Sequence, residues 1–538
     1  MVDHHLEHVH VVQAAHGFVP FPVRWRSNNR TNSGSSRCYA SFTTKGSHAM
    51  NPNDPSVVDT PYGRLLGVRE GKVVRFLGVP YAQPPTGGRR FAPPQPLAEG
   101  NGRFDATASA AIPPQLPSRL AKVMGDYPAR QDEDCLHLDI WVPIDCPSRA
   151  PVFVFLHGGA FMTGGGSLPC YDGAALAERT GMIVVNVTYR LGVLGFLPIP
   201  GIAPANLGLR DQMAALSWIR RAIGAFGGDP ANVTVAGQSA GAYSIAALQT
   251  RADGPELFDR AIMMSTPLGV ALQTPAQKRE VADMFTRAVG IEAATPDNLS
   301  RLPVDAILKA QLQVLRQTVP ASPGEVTPPF MPTVDGEVIA APPLAAAGAG
   351  AWCDTIIGYT REENAAFHVG DAVMRDLPAD TVRGVYQAHY GQAGDERYEQ
   401  ARASRAPGTP VAVLTDLRSR LDFIEPTLAY ARALAAKGRA PFVYQFDWQS
   451  PTPGIGACHC IELPFLFGNL ATWRDAPMVA GADPAELADL SRGFQDICAA
   501  FAHTGDPNRA TLPSWPSHGQ DGAVLHIDRL IQARRAPR

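Results

Sequence analysis

Residues 232–250, NVTVAGQSAGAYSIAALQT, set a single serine, Ser239, between an alternating apolar run and an Ala-rich helical pattern. Residues 232–236 read as a short strand and 240–249 as a helix, so Gly237, Gln238, Ser239, Ala240 and Gly241 must turn the chain from one to the other. A strand-to-helix turn this tight needs neighbours with little side chain. It lifts the serine hydroxyl clear of the sheet, with a backbone N–H just behind it, which is the geometry of a nucleophile elbow. A small polar residue in a crowded turn has the same local sequence. With 50 glycines in the chain, G-x-S-x-G arises readily by chance, so the pentapeptide is decided by its partners.

Outward from this turn the chain alternates between strand-like and helix-like segments. Residues 152–159 (VFVFLHGG) and 182–190 (MIVVNVTYR) are apolar runs of the kind buried on both faces of a mostly parallel sheet. Between the second run and Ser239, Leu209, Met213, Leu216, Ile219, Ile223 and Phe226 recur at intervals of mostly three or four. Gly227-Gly228 ends the pattern, which predicts an amphipathic helix with a glycine stop. Strand, helix, strand, turn, helix is the order of a doubly wound sheet. Further strands are expected at 261–264, 355–359, 442–448 and 523–527. The Pro-interrupted helical stretches between them read as insertions on one sheet, at about 268–350 and 370–440, within a single domain over residues 51–538.

The composition narrows the function. An apolar fraction of 45% and a charged fraction of 18% describe an ordinary globular chain. A net charge of −3 offers no electrostatic case for nucleic acid, and no apolar run is long enough to span a bilayer. Eight cysteines in 538 residues are too sparse for a disulfide scaffold, so free buried thiols and a reducing cytoplasm are expected. Cys458, His459 and Cys460 stand together, but zinc-like spacing lacks two further ligands, and no metal is expected. Residues 1–50, His-clustered and ending in GSHAM, lack the pattern of a secretory signal. They read as a disordered leader or appended segment.

A serine hydroxyl needs a base, a group that holds the base, and donors for the oxyanion. The side-chain-poor stretch 156–166 (LHGGAFMTGGG) follows a buried strand and can turn backbone N–H groups toward a developing negative charge. Glu362 and Glu363 sit just past a strand end. His459 lies in a Gly- and Ala-lined loop, while His368, His389, His503, His518 and His526 are also downstream.

From about Val57 onward the chain resembles the type-B carboxylesterases, the family of cholinesterases and bacterial para-nitrobenzyl esterases. The matching blocks fall in the family's order: FLGVPYAQPPTGGRRFAPPQP (76–96), EDCLHLDIWVP (133–143), FLHGGAFMTGGG (155–166), VTYRLGVLGFL (187–197), the segment 206–242, PTVDGEVI (332–339), GYTREENAAF (358–367), GACHCIELPFLFG (456–468) and FAHTGDPN (501–508). The resemblance implies an α/β-hydrolase fold with helical insertions over the active site. It implies Ser239 as nucleophile, His459 as base and Glu363 as acid, with Glu362 on the preceding non-catalytic acidic position. The N–H groups of Gly159, Ala160 and Ala240 match the oxyanion hole. The implied reaction is hydrolysis of a small-molecule carboxylic ester through an acyl-enzyme, without a cofactor.

An amidase or carbamate hydrolase with the same triad is the nearer alternative. A binding protein of this fold that has lost the triad is the more distant one, since all three positions here hold competent residues. Substrate preference and oligomeric state are silent. Four departures from the family pattern stand out: Gln238 in place of glutamate, Cys460 in place of the glycine after the histidine, Ala160 in place of a third glycine, and Pro113 where secreted relatives place the disulfide partner of Cys135.

Overall fold

Eleven strands of the computed structural model hydrogen-bond into one mixed sheet among the described residues, which are 56–292, 294–318, 322–509, 512–519 and 522–535. The expected leader at 1–50 lies outside them. Strands β1 (Val57–Thr60), β2 (Gly63–Leu66) and β5 (Arg103–Asp105) form a small separate sheet. The main sheet comprises β3 (Val68–Glu70), β4 (Val73–Pro80), β6 (His137–Pro143), β7 (Ala150–Leu156), β8 (Ile183–Val187), β9 (Gly228–Gln238), β10 (Arg260–Met264), β11 (Asp354–Thr360), β12 (Phe442–Phe446), β13 (Ala523–Ile527) and β14 (Gln532–Arg535). Its spatial order is β14-β13-β12-β11-β10-β9-β7-β8-β6-β4-β3.

From β8 to β13 every pairing is parallel, and the outer strands at both edges pair antiparallel. The parallel centre explains the unbroken apolar runs. Along β7, Val152, Val154 and Leu156 enter one core while Phe153 and Phe155 enter the other, all at 0% exposure. Each such side chain contributes about 1.5–3 kcal/mol by leaving water. Helices cover both faces, and this is an α/β-hydrolase fold.

The chain passes from β7 to β8 on one side, then returns to place β9 on the other side of β7. The strand order therefore reverses between β7 and β9, and in such sheets the crevice outside the carboxyl ends at the reversal is where ligands bind. The amphipathic helix before β9 spans Leu207–Ala222 and tightens into a 3-10 turn over Ile223–Phe226. Gly227, at φ 87°, supplies the left-handed stop expected of it.

The strand predicted at 232–236 extends over Gly228–Gln238. Ala150 of β7 pairs with Gly228 before a register shift, so the neighbouring strand recruits an Asp-Pro segment that propensity alone would leave in a loop. The helices Pro275–Ala288 and Val304–Gln317 lie between β10 and β11. Ala379–Tyr390, Gly394–Ser404, Pro410–Ser419 and Glu425–Ala435 lie between β11 and β12. The second group has a small apolar cluster of its own around Val382, Tyr386, Tyr398 and Leu414.

Candidate active site

Ser239 occupies the single residue between β9 and the helix Ala240–Gln249, at φ 56° and ψ −119°. A non-glycine residue there is strained, and the surroundings hold it. Its N–H donates to the Met264 carbonyl at the end of β10 (2.8 Å), and its carbonyl accepts from Tyr243 N–H (2.9 Å). The flanking glycines are sterically required. A Cβ on Gly241 would stand 1.9 Å from the Leu156 carbonyl oxygen, and one on Gly237 would stand 2.6 Å from the Gly241 backbone. Helix, β9 and β7 therefore close on one another only because both side chains are missing. The turn is crowded, and the crowding is what projects the serine, which retains 8% exposure.

The end of β7 carries the second part of the site. Gly159, Ala160 and Phe161 all take positive φ (108°, 54° and 60°), turning the backbone sharply after His157. This turn is braced from outside. The His157 ring stacks on Tyr189 at 4.4 Å, the Tyr189 hydroxyl donates to the His157 carbonyl (2.7 Å), and Gly192 N–H donates to the Phe161 carbonyl (2.7 Å). Burial pushes the His157 imidazole down to about 4, so it is neutral and structural at physiological pH. Among the described residues no acceptor meets the N–H groups of Gly159, Ala160 or Ala240. Three such donors suit an oxyanion.

Gly159 also has no room for a side chain, since a Cβ would lie 2.0 Å from the Thr163 carbonyl oxygen at a φ that disfavours any L-residue. Gly159→Ala is therefore expected to displace the turn and lower kcat by about 10²- to 10³-fold. Steady-state hydrolysis of a nitrophenyl ester, with circular dichroism confirming the fold, checks this. Unchanged turnover would remove these amides from the chemistry.

The acid and base candidates come from the ends of β11 and β12, at the same edge of the sheet because those strands run parallel. Glu363 lies in the turn after β11, and His459 in the long loop between β12 and the helix Leu463–Phe467. His459 Nδ1 and Glu363 Oε2 are 2.5 Å apart, both side chains at 0% exposure, and the other Glu363 oxygen accepts from Thr360 N–H (2.7 Å). The proton between them belongs on Nδ1, which leaves the Nε2 lone pair free. Phe367 and Phe423 pack against the imidazole at 5.3 and 5.2 Å, the latter from the region between β11 and β12 read as an insertion.

The fold thus brings His459 to Glu363. It also brings Nε2 to within 3.3 Å of the side-chain nitrogen of Gln238, the residue preceding Ser239. Among the described residues, no hydrogen bond joins the Ser239 hydroxyl to Nε2. Such contacts often tighten only when substrate is bound.

Glu362 has a different place. It pairs with Arg405, and its second oxygen accepts from Ala457 N–H (2.8 Å) and the Gln449 side chain (3.3 Å). Its backbone N–H also donates to the Ala457 carbonyl (2.9 Å), so Glu362 pins the loop that carries His459. A side chain at Gly456 would collide with this carboxylate at 2.1 Å. The other histidines are engaged elsewhere. His503 meets the Thr180 carbonyl, His518 the Ala523 carbonyl, His526 the Asp447 carboxylate and His368 the Thr415 hydroxyl.

One group escaped the reading of the sequence. Glu462 is fully buried, accepts from the Ser265 hydroxyl (3.1 Å), and is pushed up to about 8 by burial and by the nearby Glu363 charge. Its carboxyl is therefore mostly protonated at neutral pH. Its signal was present as the lone acidic residue in the otherwise apolar run 461–467. Cys458 and Cys460 are buried on either side of His459, and burial drives both thiols well up. The seven described cysteines, Cys135 among them, are all free.

A model of the carboxylesterase family matches residues 54–537. The para-nitrobenzyl esterase of Bacillus subtilis (strain 168) is 36% identical over 489 residues, covering 89% of this chain and 96% of that protein. A probable N-octanoylanthranilate hydrolase of Rhodococcus erythropolis is 35% identical over 486 residues, covering 87% of this chain and 97% of its own length. Among solved structures, a thermophilic para-nitrobenzyl esterase superposes with a TM-score of 0.78 at 33% identity, over 90% of this chain and 98% of that one.

Proposed function

The chain belongs to the carboxylesterase family and is a serine carboxylesterase, a hydrolase of small-molecule carboxylic esters; from that premise we propose that Ser239, His459 and Glu363 are its triad and that Gly159, Ala160 and Ala240 form its oxyanion hole. The observation that carries the assignment is the 2.5 Å contact of His459 Nδ1 with a buried Glu363 whose second oxygen is held by Thr360.

In the proposed cycle His459 Nε2 takes the proton of the Ser239 hydroxyl as Oγ attacks the ester carbonyl. Glu363 keeps the imidazole in the Nδ1–H tautomer and stabilises its cation. The three N–H groups hold the tetrahedral oxyanion, and the C–O bond breaks as His459 gives its proton to the leaving alcohol. Water, deprotonated by the same imidazole, then attacks the acyl-serine and releases the acid. Every role falls to a residue of this chain, so the cycle calls for no cofactor.

An amide or carbamate substrate is the second reading, favoured by the relative named as an N-octanoylanthranilate hydrolase. Short-chain nitrophenyl esters and matched nitroanilides and carbamates separate the two. The ester reading expects kcat/KM for the ester to exceed the anilide by about 10²-fold or more, roughly 2.7 kcal/mol of barrier. Equal rates would move the preference to the amide. We also infer one hydrolase domain over 51–538 with two helical insertions, supported by the position of those helices between consecutive strands of one sheet. The free thiols, Cys135 included, support a reducing, cytoplasmic location. Among the described residues no helix is long and apolar enough to cross a membrane.

A further inference from the structure

One of the departures from the family pattern lies at the base. The side-chain nitrogen of Gln238 is 3.3 Å from His459 Nε2. A carboxamide nitrogen donates and does not accept, so it faces the Nε2 lone pair. Its oxygen sits in the space left by Gly158, where an added Cβ would stand 2.7 Å from it.

We propose that Gln238 is a positioning residue for the base: its carboxamide, seated in the room that Gly158 leaves, donates to Nε2 of His459 in the resting enzyme and yields that lone pair to the Ser239 hydroxyl when an ester enters. The proposal rests on His459 being the base. Nδ1–H is committed to Glu363, so Nε2 carries the lone pair that must accept the serine proton. Gln238 N–H and Ser239 O–H compete for it. A donor on that lone pair also disfavours the imidazolium.

The titratable group in contact with the imidazole is Glu363 from the end of β11; Cys458, Cys460 and Glu462 lie within three residues of it on its own loop, and Asp422 precedes the packed Phe423 in the chain. A glutamate at position 238 has no proton to donate when ionised and would add a second negative charge at the opposite nitrogen.

The test is the acid limb of the kcat/KM profile for p-nitrophenyl acetate, compared among the wild type, Q238M and Q238E. The limb position is a ratio within each enzyme, insensitive to the fraction folded. It is expected to rise by about half a pH unit in Q238M and by about one unit in Q238E, an approximately threefold and tenfold loss of kcat/KM below the limb.

Coincident limbs in Q238M and wild type would overturn the proposal. So would a limb in Q238E that moves no further than that in Q238M. Failure of the underlying triad reads out separately: H459Q would retain wild-type turnover, or diethyl p-nitrophenyl phosphate would label a residue other than Ser239 in the wild type.

Discussion

Ser239→Ala is expected to reduce kcat for a nitrophenyl ester by about 10⁶-fold while leaving the fold intact, because the other parts of a triad have little to act on once the attacking oxygen is gone. The substitution is conservative in every other respect. The strain at φ 56° comes from the backbone and is the same for alanine, and the two hydrogen bonds that fix the turn use the main chain of residue 239. Thermal unfolding should therefore match the wild type. Burst kinetics with a chromogenic ester provide the sharper measurement, since the acyl-enzyme burst should vanish together with steady-state turnover. A variant that still gives a stoichiometric burst would exclude Ser239 as nucleophile.

The second large effect separates the adjacent glutamates. In Glu363→Gln the carboxamide oxygen must stay on Thr360 N–H, which can only donate, so the NH₂ faces His459 Nδ1. The imidazole then keeps its proton on Nε2, the nitrogen that should accept from serine, and kcat is expected to fall by about 10⁴-fold. Glu362→Gln breaks the pairing with Arg405 but retains an oxygen for Ala457 N–H. The pair is part-buried and Arg405 keeps Asp416 at 3.2 Å, so this change should appear mainly as a modestly lower melting temperature, with kcat reduced by no more than about tenfold. Paired kcat and melting measurements decide the matter. If Glu362→Gln proves the more damaging to kcat, the acid has been assigned to the wrong residue.

The parts of this molecule legible in the sequence were those whose causes are local or periodic. The apolar runs at β7 and β8, the helix Leu207–Ala222 with its Gly227 stop, and the strand Ala523–Ile527 follow from side-chain patterning. The turn at Ser239 follows from glycines placed where the backbone closes. Less was legible where a strand is recruited by its neighbour, as in the extra residues Gly228–Ala231 of β9. Glu362 and Glu363 were equally acidic in the run TREEN. Only the resemblance to known esterases favoured one, and no local pattern distinguishes a carboxylate aimed at an imidazole from one that pins a loop.

By itself, then, the sequence determined the succession of central strands and helices along the chain, the sharp turn and the inventory of competent groups, because hydrophobic period and glycine sterics act over a few residues. The tertiary structure decided which of those groups meet. The parallel pairing of β9 through β12 gathers their carboxyl ends at one edge, which brings Gln238, Ser265, Glu363, His459 and Glu462 into one buried network. Contacts between residues 95 to 221 positions apart depend on how the sheet closes, and no local signal in the chain encodes that distance.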